Sequence, residues 1–387
     1  MTAPQPLHGP AFGSYPPDDV AWLLTDLSDV VLEAPVEERE EAIQSGGAHY
    51  AESLPIEYEP DAEYTALFEQ ALAEQATHVA EAVGVVAEQL LAQRGERLVL
   101  VSLARAGTPV GVLLRRWLRS AHGIDVPHYA VSIVRGRGID TEALRYLAAQ
   151  HDPADIAFVD GWTGKGAIVR ELAASVATAN SELGSAFRAE LAVLADPGSC
   201  VTTFGTRDDF LLPSACLNST VSGLVSRTVL NRSLLAATDF HGAKFYAHLA
   251  PSDVSNRFVD VVEAAFAGIA AAVRDRSRTP IEAVAPTWAG WASVEALSER
   301  EGIGDVNLVK PGVGETTRVL LRRVPWKVLV RDVRDPGLAH LRLLAAQRGV
   351  PVVEDPDLVY RAVGLIHPRY TRGAVGAAGT AAQGPTG

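Results

Sequence analysis

The loop VDGWTGKGA, residues 159–167, has the residue types and spacing of a phosphate-binding turn. Asp160 closes an apolar run, and a helical pattern begins at Ala167. Backbone N–H groups and the positive end of the helix meet at such a turn, and its glycines let a phosphate come close. We therefore predict that phosphate is bound by Asp160, Gly161, Thr163, Gly164, Lys165, Gly166 and Ala167. A tight structural turn is the alternative.

Two further loops follow apolar runs in the same way. The first, ARAGTP at 104–109, contains Arg105, whose guanidinium suits charge-assisted hydrogen bonds to an anion. The alternative for Arg105 is a surface ion pair. The second loop, RGRGID at 135–140, is predicted to be a lid or a pyrophosphate contact, or else a polar turn. The residues assigned to pyrophosphate are Ala104, Arg105, Ala106 and Gly107, and those assigned to the lid are Arg135, Arg137 and Asp140.

The two cysteines suggest a different chemistry. A thiol activated by an imidazole is a protease nucleophile, and Cys216 with His241 is the pair considered for that role. Cys216 lies in a stretch of small polar residues, so a place in a substrate pocket and a buried inert thiol are the alternatives. The sequence contains no cysteine cluster of the kind that holds zinc.

The sequence predicts alternating strands and helices, and these elements position the loops. Four runs have the character of strands: LVLVSL (98–103), HYAVSIV (128–134), IAFVD (156–160) and LAVLAD (191–196). A helical pattern follows each of the first three, and a long amphipathic helix is predicted over 63–93. This order predicts an α/β fold with a mostly parallel sheet and helices on both faces. The glycine-containing loops then share the edge where the strands end.

The composition is that of an ordinary globular chain with material for two domains, with 387 residues, 48% hydrophobic and 21% charged. No signal-peptide pattern or membrane-length apolar run occurs in the sequence, so we expect a cytoplasmic protein without a membrane partner. We predict a disordered segment at 1–14, a domain at 15–275, a linker at 276–284, a small α/β domain at 285–370 and a disordered tail at 371–387.

Two of the loops carry a family resemblance. LVLVSLARAGTPVG resembles the pyrophosphate loop of type I phosphoribosyltransferases, and IAFVDGWTGKGAI resembles their phosphoribosyl-diphosphate loop. That family usually has two adjacent acidic residues where this chain has Asp160 and Gly161. The resemblance implies a type I phosphoribosyltransferase-like sheet, with Asp160 and Arg105 as catalytic residues. It also implies that Asp160 contacts the ribose hydroxyls and meets Mg²⁺ only indirectly, through the substrate.

Longer phrases are similar to the phosphoribosyltransferase-like family of bacterial tellurium-resistance gene clusters, also labelled StiP. They are HYAESLPIEYEP (49–60), PHYAVSIVRGRGID (127–140), PSACLNSTVSGLVSRTVL (213–230) and DFHGAKFY (239–246). The resemblance implies an enzyme that uses phosphoribosyl diphosphate and Mg²⁺ to ribosylate an unidentified base or nucleoside-like metabolite. It also implies a hood over the base that contains His49, Tyr50 and Glu57. Two alternatives stay open: a non-catalytic nucleotide sensor, and a cysteine peptidase using Cys216, a label the family has also carried.

The stretch VNLVKPGVGETTRVLLRRVPWKVLVRDV (306–333) resembles a Pelota-type RNA-binding domain. Residues 300–372 contain 13 basic and 8 acidic side chains, whereas residues 1–90 contain 1 basic and 18 acidic ones. We therefore expect any RNA to bind at the C-terminal end, with Lys310, Arg318, Arg322 and Arg323 as candidate contacts. A solvated basic face and docking onto a partner protein are the alternatives, and self-association into a homo-oligomer is left open.

Overall fold

A mostly parallel sheet forms the centre of the first domain, the name used below for residues 4–278. The structure is a computed structural model, and it describes residues 4–34, 52–57, 59–278 and 285–366. The strands of this domain are β1 (Ala21–Leu23), β2 (Thr25–Asp26), β3 (Glu33–Ala34), β4 (Leu54–Pro55), β5 (Val99–Ala104), β6 (His128–Val134), β7 (Gly138–Ile139), β8 (Ile156–Trp162), β9 (Leu191–Ala195), β10 (Thr203–Thr206) and β11 (Gly242–Ala243).

The central sheet has the strand order β1–β6–β5–β8–β9–β10, and every neighbouring pair along this path is parallel. The strand β7 pairs antiparallel with β6. Four of these strands, β5, β6, β8 and β9, correspond to the predicted apolar runs, because a strand that is apolar on both sides is stable only between two covering layers. The predicted α/β fold with a mostly parallel sheet is therefore confirmed. We call the edge formed by the carboxyl ends of β5, β6 and β8 the rim.

Helices cover both faces of this sheet. They are α1 (Ala62–Arg94), α2 (Thr108–His122), α3 (Thr141–Gln150), α4 (Ala167–Leu183), α5 (Ser255–Ala264) and α6 (Phe266–Arg278). One hydrophobic cluster contains Leu100 of β5 together with residues of α1 and α2. A second cluster contains Val99 and Val101 together with residues of α3 and α4. Because successive residues of a strand point to opposite faces, β5 contributes to both layers.

Local signals fix the ends of several helices. Asp61 caps α1 by accepting a hydrogen bond from Tyr64 N at 3.0 Å, and Gly95 ends this helix with a φ of 70°. Two consecutive helices, α5 and α6, end the first domain. They are separated at Ala265, whose N–H donates to Val262 O at 3.1 Å in a tighter turn than that of an α-helix.

The N-terminal segment packs against the sheet. Composition predicts disorder over residues 1–14, whereas Leu7 and Trp22 exchange backbone hydrogen bonds at 2.9 and 2.8 Å. Phe12 is buried, with its ring 6.2 Å from that of Trp22 in an edge-to-face arrangement. A few apolar side chains within a Pro- and Gly-rich stretch thus order residues that average composition assigns to a flexible end.

The C-terminal domain, the name used for residues 285–366, contains a separate four-stranded sheet. Its strands are β12 (Val309–Pro311), β13 (Pro325–Val330), β14 (Val352–Glu354) and β15 (Ala362–Ile366), and its helices are α7 (Ala289–Arg300), α8 (Val313–Arg322) and α9 (Ala339–Gln347). The strand order is β12–β15–β13–β14, and within this order only β13 and β14 pair in parallel. Tyr360 and Leu365 are fully buried with Leu297 of α7 in the core of this domain.

The two domains meet along a surface that we call the seam. Both carboxylate oxygens of Asp209 in the first domain accept backbone hydrogen bonds from the C-terminal domain, from Val313 N at 2.7 Å and from Arg361 N at 2.8 Å. The Tyr64 hydroxyl donates to Leu321 O at 2.6 Å. The hydrophobic cluster around α1 continues into α8 and α9. The seam is therefore both apolar and hydrogen-bonded.

Candidate functional site

The loop predicted to bind phosphate leaves β8 at the rim and leads into α4. Asp160 accepts a hydrogen bond from Gly161 N at 2.7 Å, and burial raises the pKa of this carboxyl to about 7. Thr163 Oγ1 accepts a hydrogen bond from Gly166 N at 3.2 Å, so this hydroxyl stabilises the turn itself. Gly166 has a φ of 73°, which glycine adopts without the steric cost of a Cβ, and Ala167 then begins α4.

The C-terminal domain covers this loop. Lys165 is buried, and its Nζ donates to Val306 O at 2.6 Å. The Tyr360 hydroxyl donates to Gly164 O at 2.8 Å. Trp288 lies so close to the last glycine of the loop that a side chain there would meet its ring. The loop is therefore part of the seam, and its lysine contacts main-chain carbonyls of the C-terminal domain.

The half-buried Asp160 should make the stability of the protein depend on pH. Its pKa is about 7 in the folded protein against 3.8 for the unperturbed group, so between these values the folded state binds a proton that the unfolded state has released. The free energy of unfolding is therefore expected to fall as the pH rises from about 4 to about 7. Asp160→Asn removes this dependence and should be about 1–2 kcal/mol more stable than the wild type at neutral pH.

Urea unfolding at about pH 5 and about pH 7.5 measures this difference. Asp18→Asn is the matched control, because Asp18 is an exposed carboxylate in the same domain. The interpretation fails if Asp160→Asn and the wild type lose the same stability between the two pH values.

Arg105, predicted to hold pyrophosphate, follows β5 and forms a buried ion pair. Its Nη1 donates to Glu57 Oε1 at 3.3 Å and to Val225 O at 3.2 Å. The same Glu57 oxygen accepts hydrogen bonds from Ser219 N at 2.9 Å and from Ser219 Oγ at 2.8 Å. The Arg105 and Glu57 side chains are 12% and 7% exposed. This pair therefore ties the rim to the segment that contains Cys216.

The other residues of the Arg105 loop lie at the junction of β5 and α2. Ala104 is the last residue of β5, and Ala106 is exposed. A Cβ on Gly107 would lie 2.7 Å from Val159 O and 2.9 Å from Leu103 O. The glycine is therefore needed for the close approach of the loop to β5 and β8.

His241 lies beside β6 at the rim. Its Nδ1 is 2.8 Å from Ser132 Oγ, and its backbone N–H donates to Asp140 Oδ2 at 2.6 Å. Asp140 also caps α3 by accepting hydrogen bonds from Glu142 N and Ala143 N at 2.9 and 3.1 Å. Burial lowers the pKa of His241, although the charge of Asp140 opposes this shift. The ring is therefore neutral near physiological pH and can accept a proton.

The turn predicted to be a lid connects β6 to β7. Arg135 and Arg137 are exposed, and Gly136 N donates to Glu171 Oε2 at 2.9 Å. The turn is therefore tethered to α4. His49 and Tyr50 lie outside the described residues. The lid and the hood remain predictions.

Cys200 sits in a turn that follows β9. Its backbone N–H donates to both carboxylate oxygens of Asp196, at 2.8 and 2.9 Å, and its Sγ donates to Gly198 O at 3.4 Å. Burial, and then the charge of Asp196, raises the pKa of the Cys200 thiol to about 12. This thiol stays protonated at physiological pH.

Cys216 follows the short 3-10 turn Pro213–Ala215 and is fully buried. Its N–H donates to Pro213 O at 3.0 Å. The C-terminal domain contacts this turn, because Arg318 Nη1 donates to Ala215 O at 3.3 Å. A Cβ on Gly314 would lie 3.4 Å from the Ala215 Cβ. The seam therefore lies directly against the turn that precedes Cys216.

The segment after Cys216 pairs with the segment that begins at His241. Val229 and Gly242 exchange backbone hydrogen bonds at 2.7 and 2.8 Å, and further pairing follows towards residues 224 and 246. This antiparallel pairing and the Glu57 hydrogen bonds place both segments in one hydrogen-bonded layer above the rim. The main-chain segments that follow Cys216 and His241 are thus hydrogen-bonded to each other.

Comparison with known proteins gives the family. Residues 13–263 match the family described as "Tellurite-like stress resistance cysteine protease StiP". The chain belongs to the StiP family. A protein of Acinetobacter baylyi (strain ATCC 33305 / BD413 / ADP1), named "Cysteine protease StiP", is 36% identical over 374 residues, which cover 92% of this chain and 94% of that relative. Residues 288–368 match the PELOTA RNA binding domain, so this part of the resemblance is confirmed.

The predicted phosphoribosyltransferase activity is wrong. The StiP family and its Acinetobacter relative are described as cysteine proteases, which agrees with the alternative reading and not with a pentosyltransferase. The physical reason is that a glycine turn before a helix presents the same pattern whether a phosphate or a protein segment fills it. Here the C-terminal domain contacts Gly164 and Lys165. Phosphoribosyl diphosphate and a base are not supported as partners, and the Mg²⁺ expected with them remains an untested prediction.

The basic candidates for RNA contact lie near the seam. Lys310 is in β12, Arg318 is in α8, and Arg323 follows that helix. The side chain of Arg322 is not among those that the structure describes. Burial is the main cause of the lowered pKa of Lys310.

Sequence reasoning missed two residues that organise the site, Ser132 and Asp209. A signal for Ser132 was present, because it is a polar residue within the apolar run of β6, and the structure buries it fully. The sequence held no signal for Asp209, since the residues that it binds are distant in sequence.

Among the described residues, no group of three or more His, Cys, Asp or Glu side chains could hold a metal ion. No helix in that part of the chain is long and apolar enough to cross a membrane.

Proposed function

We propose that the protein is a cysteine protease with Cys216 as its nucleophile. The proposal is supported by membership of the StiP family and by the name of the Acinetobacter relative. The whole chain contains two cysteines, so the choice lies between Cys200 and Cys216. The surroundings of Cys200 make it the weaker of the two candidates.

Cys200 is a poor candidate for a nucleophile. The thiolate is the reactive form of cysteine, and a pKa of about 12 leaves very little of it at physiological pH. The adjacent Asp196 carboxylate disfavours a second negative charge, and it accepts hydrogen bonds from Cys200 N and Val201 N. Cys200 therefore belongs to a structural turn, and we assign catalysis to Cys216.

The proposed reaction is acyl transfer through a thioester. Cys216 Sγ attacks the carbonyl carbon of a peptide bond, the amine leaves with a proton, and water hydrolyses the thioester to regenerate the thiol. We assign proton transfer to His241, whose neutral ring can take the thiol proton and give it to the amine. In the tautomer in which Nδ1–H donates to Ser132 Oγ, 2.8 Å away, Nε2 is unprotonated and available for this transfer.

On this proposal, the burial of Cys216 corresponds to a closed form of the site. Cys216 has no exposed surface, and the preceding turn is in contact with α8. A peptide can reach the thiol only after this turn or its cover moves. Local opening of this kind is common at active-site loops.

Alkylation tests the assignment. Iodoacetamide treatment of the Cys200→Ser protein is expected to abolish casein hydrolysis in proportion to carbamidomethylation of Cys216, because an alkylated sulfur cannot attack a carbonyl carbon. Intact-mass spectrometry and a fluorescent casein assay measure the two quantities. Untreated Cys200→Ser protein gives the reference rate. Hydrolysis that persists after complete modification of Cys216 would refute the proposal.

Two narrower proposals accompany this one. The C-terminal domain binds RNA, supported by the PELOTA match and by the charges of Lys310, Arg318 and Arg323. Fluorescence anisotropy with a labelled single-stranded RNA oligonucleotide tests this role, and absence of binding at low salt would contradict it. The assignment of the central sheet to the type I phosphoribosyltransferase fold is a proposal about architecture alone, supported by its parallel strands and glycine-containing loops.

A further inference from the structure

Cationic side chains from both domains converge at the seam. Lys165 of the first domain donates from Nζ to Val306 O at 2.6 Å and to Val309 O at 3.3 Å, which places it beside the next residue of β12, Lys310. Burial lowers the pKa of Lys165 to about 7, and the charges of Lys310 and Arg135 contribute to this shift. Lysines and arginines of the two domains thus lie within electrostatic reach of one another.

Arg318 and Arg323 complete this group, since their charges act on both Lys310 and Glu315. Lys165 is not counted as a ligand, because it is buried and its Nζ already donates to two carbonyls of the C-terminal domain. We call the set of Arg135, Lys310, Arg318 and Arg323 the seam cluster. Glu315 lies 3.9 Å from Arg318 Nε. The seam cluster therefore brings three arginines within electrostatic reach of Lys310.

Phosphate groups are the ligands that match this arrangement. Arginine forms paired, charge-assisted hydrogen bonds with phosphate oxygens, and lysine adds a compact point charge. A chain of phosphates can contact several cations that are spread over two domains, which a single small anion cannot do. The PELOTA match selects RNA as the source of these phosphates.

Arg318 connects the seam cluster to Cys216. Its Nη1 donates to Ala215 O at 3.3 Å, and Ala215 immediately precedes the buried thiol. This contact is a long hydrogen bond to a neutral carbonyl, whereas a phosphate oxygen would accept a shorter and stronger one. A phosphate that engages Arg318 Nη1 therefore competes with the Ala215 carbonyl for this donor.

We propose that the seam cluster is a binding site for the phosphate backbone of single-stranded RNA. RNA bound there draws Arg318 away from Ala215, so the turn Pro213–Ala215 loosens and Cys216 becomes accessible. This inference rests on the proposed role of Cys216, and it makes RNA the activator of the protease.

The experiment measures thiol accessibility, which does not depend on proteolysis. In the Cys200→Ser protein, iodoacetamide labels Cys216 alone, and a uridine oligonucleotide of about 12 nucleotides is expected to raise the labelling rate about tenfold at low salt. Arg318→Ala in the same background should label rapidly without RNA and show no further increase. Arg97→Ala removes a charge at the opposite edge of the sheet, where its partner is Asp155, and should respond as the parent does.

A second variant tests whether the site includes the first domain, even if Arg318→Ala does not fold. Arg135 is exposed on a turn, and Arg135→Ala is expected to weaken RNA binding about fivefold and to reduce the salt dependence of binding. Fluorescence anisotropy with the labelled oligonucleotide measures both effects. Unchanged affinity would overturn a site shared between the domains.

Three further outcomes distinguish between failure of the coupling, of RNA as the ligand and of the protease function. RNA that binds without changing the Cys216 labelling rate overturns the coupling. Inorganic phosphate that accelerates labelling as strongly as RNA, at equal phosphate concentration, overturns RNA as the ligand. RNA-dependent labelling in a protein that hydrolyses no casein supports the coupling and contradicts the proposed protease function, so the two failures are distinguishable.

Discussion

Cys216→Ser is expected to lower casein hydrolysis by at least about 10³-fold. Serine has nearly the same shape as cysteine, so it should preserve the turn after Pro213–Ala215 and the backbone hydrogen bond from residue 216 to Pro213. A hydroxyl gives up its proton far less readily than a thiol, and a neutral His241 cannot compensate for this difference. The loss should therefore appear in kcat and not in the folding of the protein.

Cys200→Ser is the matched control for this prediction. The hydroxyl can donate to Gly198 O as the thiol does, and the Asp196 hydrogen bonds come from main-chain N–H groups, which the substitution leaves in place. We expect hydrolysis within about twofold of the wild type. The assignment is contradicted if Cys200→Ser loses activity and Cys216→Ser retains it, a result that would place the nucleophile beside Asp196.

The second large effect is expected at the seam. Asp209→Ala should lower the free energy of unfolding by about 2–5 kcal/mol, because Val313 N and Arg361 N each lose a buried acceptor. Burial raises the pKa of Asp209 to about 6, so the group is mainly ionised at about pH 7.5, where the measurement should be made. Urea unfolding monitored by tryptophan fluorescence reports the change.

The neighbouring aspartate provides the control. The side chain of Asp208 is 70% exposed and lies 3.6 Å from His78, so Asp208→Ala should change stability by less than about 0.5 kcal/mol. The free energy of unfolding of Asp209→Asn should lie between those of Asp208→Ala and Asp209→Ala. The amide oxygen of asparagine can accept one of the two hydrogen bonds, but its NH₂ group cannot replace the second oxygen. Equal stabilities for Asp208→Ala and Asp209→Ala would show that Asp209 does not hold the domains together.

The strand–loop–helix order was readable from the sequence because its signals are local. The apolar run at 128–134 coincides with β6, and the helix after β8 begins at Ala167, where the helical pattern begins. Runs of β-branched residues favour buried strands wherever they occur, and glycine turns punctuate them. These preferences act over a few residues, so a parallel α/β sheet was predictable.

The contacts of the glycine-containing loop at 159–167 could not be predicted from the sequence in this way. Its residues Gly164 and Lys165 bind groups near residues 306 and 360, and no local pattern encodes which part of the chain will reach them. The family comparison corrected the reaction, because exposed N–H groups before a helix serve phosphate and protein segments equally well. The sequence shows both cysteines, but only the structure shows that the surroundings of Cys200 raise the pKa of its thiol, which favours Cys216 as the nucleophile.

By itself, the sequence indicated the mostly parallel sheet and the uneven charge distribution, which is acidic in the N-terminal part and basic in the C-terminal part. It also limited the residues that can act as nucleophile or base to a short set. Tertiary structure alone decided that Glu57 joins Arg105 to Ser219, that Ser132 meets His241, and that Arg318 meets the turn before Cys216. The physical reason is distance along the chain. Strand and helix preferences are summed over neighbouring residues, whereas each of these contacts joins side chains or segments that only the folded sheet and the seam bring together.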